Sequence, residues 1–160
     1  MIAVIGCGNA NRSDDGAGPQ VLRVLKERHA GFDSDDVRLL DAGTDGMAVM
    51  FAARGCETLI VVDACRTGAE PGMTYEVPGE RLEQSHTAAF TLHDFRWDHA
   101  LFAGRKIFGQ EFPKDVTAIL IEAQSLDFGI GLSPPVHAAV DAVAERIAAM
   151  VASRIKGEVQ

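Results

Sequence analysis

The chain has 160 residues, 47% of them hydrophobic and 24% charged, with a formal net charge of −8. That length suits one domain with one sizeable core, and the acidic balance makes nucleic acid and anionic membranes poor partners. No apolar run approaches the roughly 20 residues that span a bilayer, so membrane insertion is not expected. The opening Met1-Ile2-Ala3-Val4-Ile5-Gly6 lacks a basic stretch and reads directly into a strand. A secretory leader is therefore not expected, and the cytoplasm is the expected compartment. Cys7, Cys56 and Cys65 are scattered, with no CxxC pair and no disulfide framework, which suits a reducing compartment.

Ile2 to Cys7 is short, apolar and β-prone, and it ends at glycine; it is predicted as a buried first strand. Pro19 fits the first turn of a helix, and Val21, Leu22 and Leu25 continue at helical spacing to about His29. Val37 to Asp41 is a second strand ending at Ala42-Gly43. Met47, Val49, Met50 and Phe51 predict a short helix closed by Gly55. Thr58 to Asp63 is a third strand, apolar until it meets Asp63. This alternation predicts right-handed βαβ units and a parallel sheet. A link of roughly nine residues, Ala64 to Gly72, is too short for the usual parallel crossover of a dozen or more, so the strand at about Met73 to Val77 is expected to be antiparallel and near an edge. Gly79 to Thr91 reads as a polar loop, His93 to Gly104 as a helix, and Val116 to Glu122 as the last strand. Ser133-Pro134-Pro135 is a helix start, with a hydroxyl N-cap and proline in the first turn. Val136, Val140, Val143, Ile147 and Val151 form the apolar stripe of a long final helix. There is no internal repeat or linker, so residues 1–160 are read as a single domain, with about 153–160 as a C-terminal tail.

The turn after the first strand is Gly6-Cys7-Gly8-Asn9-Ala10-Asn11-Arg12-Ser13-Asp14-Asp15-Gly16-Ala17-Gly18. Strand, glycines and helix form the frame of a phosphate-binding turn, which holds negative charge with backbone N–H groups. Asp14 and Asp15 in that frame repel phosphate and attract a cation. In open α/β sheets ligands sit beyond the C-terminal strand ends, where strand order reverses. If the first and third strands flank that point, Asp15 and Asp63 face one crevice, Asp41 lies on the same edge, and His93 can close over it. Two carboxylates and an imidazole suit a borderline divalent ion, with positions open for water or substrate.

Structural roles compete for each of these residues. Asp14 and Asp15 fit an N-cap or helix-dipole partner, and Asp41 fits a loop cap. Asp63 fits a capped turn or a pair with Arg66, although a carboxylate ending an apolar central strand is costly to bury without a partner. His93 fits a surface position, with His86 and His99 as competing ligands; His29 and His137 sit on helices remote in sequence. Cys7 and Cys65 read as small packing residues, Cys65 being also a soft-ligand candidate just past Asp63. A nucleotide-binding module is the contrasting reading. It is disfavoured because Gly6-x-Gly8-x-x-Asn11 lacks the third glycine, and Asp41 lies about 33 residues beyond Gly8 against the usual ~20 for a ribose-binding acid.

At these residues the chain resembles the nickel–iron hydrogenase maturation endopeptidases. Gly6-Cys7-Gly8-Asn9 through Asp14-Asp15-Gly16-Ala17-Gly18 is similar to that family's opening signature, and Asp41-Ala42-Gly43-Thr44-Asp45-Gly46 to its second-strand D-x-G-T turn. Val62-Asp63-Ala64 with Pro71-Gly72, then Thr91-Leu92-His93, then Leu132-Ser133-Pro134 resemble the later blocks, in order and over almost the whole chain. The resemblance implies a three-layer α/β domain with a mostly parallel five-stranded sheet, helices on both faces and one antiparallel edge strand. It implies metal ligands at Asp15, Asp63 and His93. It implies an endopeptidase that removes the C-terminal extension of a hydrogenase large-subunit precursor, with nickel as the cofactor, carried by that precursor.

Two departures stand out. The family often has Glu where this chain has Asp15, and Asn11-Arg12 makes the loop more polar. On this reading the precursor's nickel docks against Asp15, Asp63 and His93, and Asp41 is the candidate general base or substrate-orienting group. HExxH, GxSxG and a Cys–His pair are all missing, so other protease mechanisms lack a motif. The rival from another class is a non-catalytic nickel-sensing chaperone of the same precursor. The chain is expected to be a monomer or a weak oligomer.

Overall fold

A computed structural model describes residues 1–29, 32, 34–83 and 95–157. Five strands, β1 (Ile2–Cys7), β2 (Val37–Gly43), β3 (Thr58–Cys65), β4 (Thr74–Pro78) and β5 (Asp115–Glu122), form one sheet in the order β2-β1-β3-β5-β4. The β1–β2, β1–β3 and β3–β5 pairings are parallel, and β4 pairs antiparallel with β5 at the edge. The expected mostly parallel sheet with one antiparallel edge strand is therefore what forms. The strand order reverses between β1 and β3, which places the crevice of an open α/β sheet at their C-terminal ends.

Side-chain parity builds two cores. On one face Ile2, Val4, Ile60, Val62, Ile119 and Ile121 pack beneath helices α1 (Ala17–Arg28) and α5 (Pro134–Ile155). On the other, Ala3, Ile5, Leu59, Val61, Val116 and Ala118 pack beneath α2 (Gly46–Ala53) and α4 (Trp97–Phe108). β3 is buried over every residue from Thr58 to Ala64, as a parallel strand covered on both faces must be. Because successive side chains alternate, Asp63 and Cys7 fall on the α2/α4 face, continuing the rows Leu59–Val61 and Ala3–Ile5.

The structure moves several predicted boundaries. The segment read as a polar loop from Gly79 opens with a short helix, α3 (Gly79–Glu83); its last residue pairs with Arg105 of α4, N to O 3.1 Å. The helix expected over His93–Gly104 runs instead from Trp97 to Phe108. Its buried row is Trp97, Ala100, Leu101 and Gly104, and Gly104 makes room for the Phe112 ring. The final helix continues to Ile155, past the tail boundary expected near 153. Ser133 occupies the N-cap of α5, but its hydroxyl makes no cap hydrogen bond; it donates to Asp14 Oδ2 at 2.9 Å. No helix of the described residues is long and apolar enough to cross a membrane.

The first turn of α1 lies directly on the switch point. A Cβ on Gly18 would sit 2.3 Å from the Cys7 carbonyl oxygen and 2.5 Å from that of Val62. Both contacts are with backbone and cannot be relieved by a rotamer change. Gly18→Ala is therefore expected to destabilise the fold by about 3 kcal/mol, the upper range for overpacking, read as a lower denaturant midpoint at unchanged m-value. A wild-type midpoint would disprove the close approach.

Candidate active site

A crevice of about 240 Å³ opens beyond β1 and β3, lined by Cys7, Gly8 and Asp15 on one side and by Gly43 to Gly46, Asp63 and Phe95 to Trp97 on the others. Three local features build it. Gly8 has φ +125°, and a Cβ there would lie 1.8 Å from the Asp15 carbonyl oxygen, so only glycine lets the chain fold back on the turn carrying Asp15. That turn is a short 3₁₀ segment, Ser13–Gly16, and Asp15 Oδ2 accepts a hydrogen bond from Asn9 N–H at 2.8 Å. Across the crevice Asp45 caps α2, accepting from Met47 and Ala48 N–H at 2.9 and 3.1 Å. A Cβ on Gly46 would lie 2.4 Å from Phe95 O and 2.6 Å from Arg96 O, so the starts of α2 and α4 touch backbone to backbone and carry Arg96 to the crevice.

Asp63 is 4% exposed. Its Oδ1 accepts from Ala64 N–H at 2.8 Å and its Oδ2 from Trp97 Nε1–H at 2.7 Å. Arg96 Nη2 stands 3.5 Å from Oδ2. Burial pushes the Asp63 carboxyl up to about 6; the Trp97 hydrogen bond, the Arg96 charge and the Ala64 N–H oppose that rise, and the Asp15 charge adds to it. Among the described residues the ion-pair partner is Arg96, not the Arg66 of the competing structural reading, which is exposed.

The structure thus brings Asp15 and Asp63 to one crevice. Asp41 sits on the same sheet edge but outside the lining; it is exposed, and its Oδ1 accepts from Gly43 N–H at 2.9 Å, the turn-holding role. His93 and His86 lie outside the described residues. Among the described residues no group of three His, Cys, Asp or Glu side chains is placed to hold a metal. Cys7 lines the crevice, but burial and then the Asp63 charge push its thiol far above the ordinary value, which deprives it of thiolate character. Cys65 is pushed up to about 12 by burial, by its hydrogen bond to Glu122 and by that residue's charge.

Asp14 is fully buried and is not an N-cap. It accepts from Gln124 N–H (2.8 Å), Ser125 N–H (3.1 Å), Ser133 N–H (2.7 Å) and Ser133 Oγ–H (2.9 Å). Burial pushes its carboxyl up, but these bonds outweigh it and hold the group below its ordinary value. Sequence reasoning missed Arg96 and Trp97. The available signal was that a buried Asp63 needs donors, and the one tryptophan carries an N–H.

Two carboxylates, Asp15 and Asp63, thus line one crevice at the switch point of a three-layer α/β sheet. Comparison with known proteins gives the class. Residues 19–150 match the family described as hydrogenase maturation protease. The chain is 30% identical over 149 residues to the hydrogenase 2 maturation protease of Escherichia coli, covering 92% of this chain and 88% of that one. It is 33% identical over 150 residues to the coenzyme F420 hydrogenase subunit delta of Methanothermobacter thermautotrophicus, covering 87% of each. The structure of the hydrogenase maturating endopeptidase HybD from E. coli superposes with a TM-score of 0.79 at 26% identity, over 98% of this chain and 94% of that one. The chain belongs to the hydrogenase maturation protease family.

Two predictions follow from this geometry. In a carboxyl-carbon NMR titration Asp63 should lose its proton near pH 6, and Arg96→Gln should move that midpoint upward by removing a cation. A midpoint near 4, the ordinary range for aspartate, would show that Asp63 is not buried as described. Asp14→Ala takes the acceptor from three N–H groups in partly buried hydrogen bonds and should cost about 3 kcal/mol of unfolding free energy. An unchanged denaturant midpoint would show that the clamp is not formed.

Proposed function

We propose that this chain is an endopeptidase that removes the C-terminal extension from a hydrogenase large-subunit precursor already loaded with nickel. The carrying observation is that Asp15 and Asp63 line one crevice at the switch point, while among the described residues Asp63 has two close donors and a guanidinium at 3.5 Å. Such a carboxylate gains from an incoming cation. Two carboxylate donors, joined by His93, suit a borderline divalent ion whose remaining ligands come from the substrate. The nickel would then be cargo of the precursor, and the chemistry it would supply is Lewis-acid polarisation of the scissile carbonyl. The protein contributes the ligating carboxylates, a narrow crevice that orients the extension, and an ionised Asp63 above about pH 6. Cys7 does not serve as nucleophile, since its thiol stays protonated. Asp41 has one carboxylate oxygen committed to Gly43, and we assign it the shaping of the Ala42-Gly43 turn in place of proton transfer. The cytoplasm is the compartment this reading favours, in keeping with three free cysteines.

The test is cleavage of purified precursor, with and without nickel, followed by intact-mass spectrometry. Wild type should shorten only the loaded form, and Asp63→Ala and Asp15→Ala should each slow product formation by about 100-fold or more, the scale of losing a group that stabilises the transition state. Equal cleavage of metal-free precursor would refute the nickel requirement. Binding of the precursor with no shortened product would refute the protease reading in favour of a chaperone.

A further inference from the structure

The loop between β5 and α5 carries the two most exposed large apolar side chains of the described residues, Phe128 at 84% and Ile130 at 91%. Single exposed hydrophobes are ordinary; a pair two residues apart on a hydrogen-bonded loop is not. Ser13 N–H donates to Gly129 O at 2.8 Å, and Gly129 N–H donates to Asn11 O at 2.9 Å, forming a short parallel bridge between Arg12 and Gly129. Ser13 Oγ–H donates to Asp127 O at 2.9 Å and Arg12 Nε–H to Leu126 O at 3.1 Å. Asp14 holds both ends of the loop through Gln124, Ser125 and Ser133. The Arg12 guanidinium lies 5.0 Å from the centre of the Phe128 ring, a cation–π contact that orients the ring.

We propose that Phe128 and Ile130 are the anchors by which the precursor protein docks, a surface separate from the crevice but locked to it. This rests on the function proposed above. The occupant follows from continuity: the strand of chain that zips this loop in place, Asn11 to Asp14, leads without a break into Asp15 and the crevice lining. A partner that delivers a peptide to Asp15 therefore meets a preformed edge made of an aromatic ring, an aliphatic side chain and a guanidinium. Aromatic and arginine anchors dominate binding energy at protein interfaces. Pre-ordering them before contact lowers the entropic cost of association. An apolar patch on the precursor near its C-terminal extension is the matching chemistry.

The test pairs wild type with the double variant Phe128→Ser, Ile130→Ser. Immobilised nickel-loaded precursor measures binding, and the shortened product measures cleavage. The double variant should bind about 30-fold more weakly, as loss of hot-spot anchors does, with KM raised in parallel, kcat at saturation unchanged and an unaltered melting temperature. Phe128→Leu should restore most of the affinity. Equal binding by wild type and double variant overturns the docking surface while leaving the protease reading intact. Failure of wild type to bind precursor also overturns it, as does a wild-type dimer that the double variant splits without weakening precursor binding. Weakened binding with no cleavage by wild type upholds the surface and sinks the protease reading.

Discussion

The site depends on one buried carboxylate that never reaches it. Asp14 has no solvent exposure, and its two oxygens accept four hydrogen bonds from residues more than a hundred positions away. Those bonds tie the turn after the first strand to the loop before the last helix. The next residue, Asp15, is thereby held at the crevice, and Ser133, which the sequence marks as a helix cap, is drawn into the clamp. A carboxylate buried this completely is tolerable because several aimed N–H and O–H groups replace its lost hydration.

Three buried carboxylates among the described residues separate by how fully they are satisfied. Asp14 accepts four hydrogen bonds. Glu122, at the end of β5, also accepts four, from Cys65 Sγ–H, Thr67 N–H, Thr67 Oγ1–H and Gly68 N–H. In both, burial pushes the group up and the hydrogen bonds more than offset it, so both stay below their ordinary values. Asp63 has two close donors and one guanidinium at 3.5 Å, and in it burial wins. The first two are structural locks on the switch-point edge. The third, least fully satisfied among the described residues, is the one that lines the crevice.

Much of this was legible. Ile2–Cys7 and Thr58–Asp63 read as buried strands because both are covered on two faces, and a nine-residue link identified the antiparallel β4. Asp15 and Asp63 could be brought together by the switch-point rule alone. What stayed hidden depends on long-range contact. Trp97 reaches Asp63 across 34 positions and Gln124 reaches Asp14 across 110, and no local pattern encodes either. α3 was hidden because five residues carry little periodicity, and its end is held by Arg105 from another helix. Glu122 read as the end of a strand, since nothing near it in sequence announces its four donors.

The glycines explain why a turn shaped like a nucleotide-binding one is not built for a phosphate. A Cβ on Gly6 would lie 2.7 Å from Gly18 O, and one on Gly8 would meet Asp15 O. Both glycines therefore serve contacts within the protein, not the approach of a pyrophosphate. The N–H of Asn9, which the frame offers to a phosphate oxygen, is already taken by Asp15 Oδ2. The protein's own carboxylate stands where the anion would bind, so the backbone geometry that elsewhere attracts negative charge here supports it. With Asp63 facing the same crevice, a second carboxylate adds to the first, and the turn is ill suited to an anion.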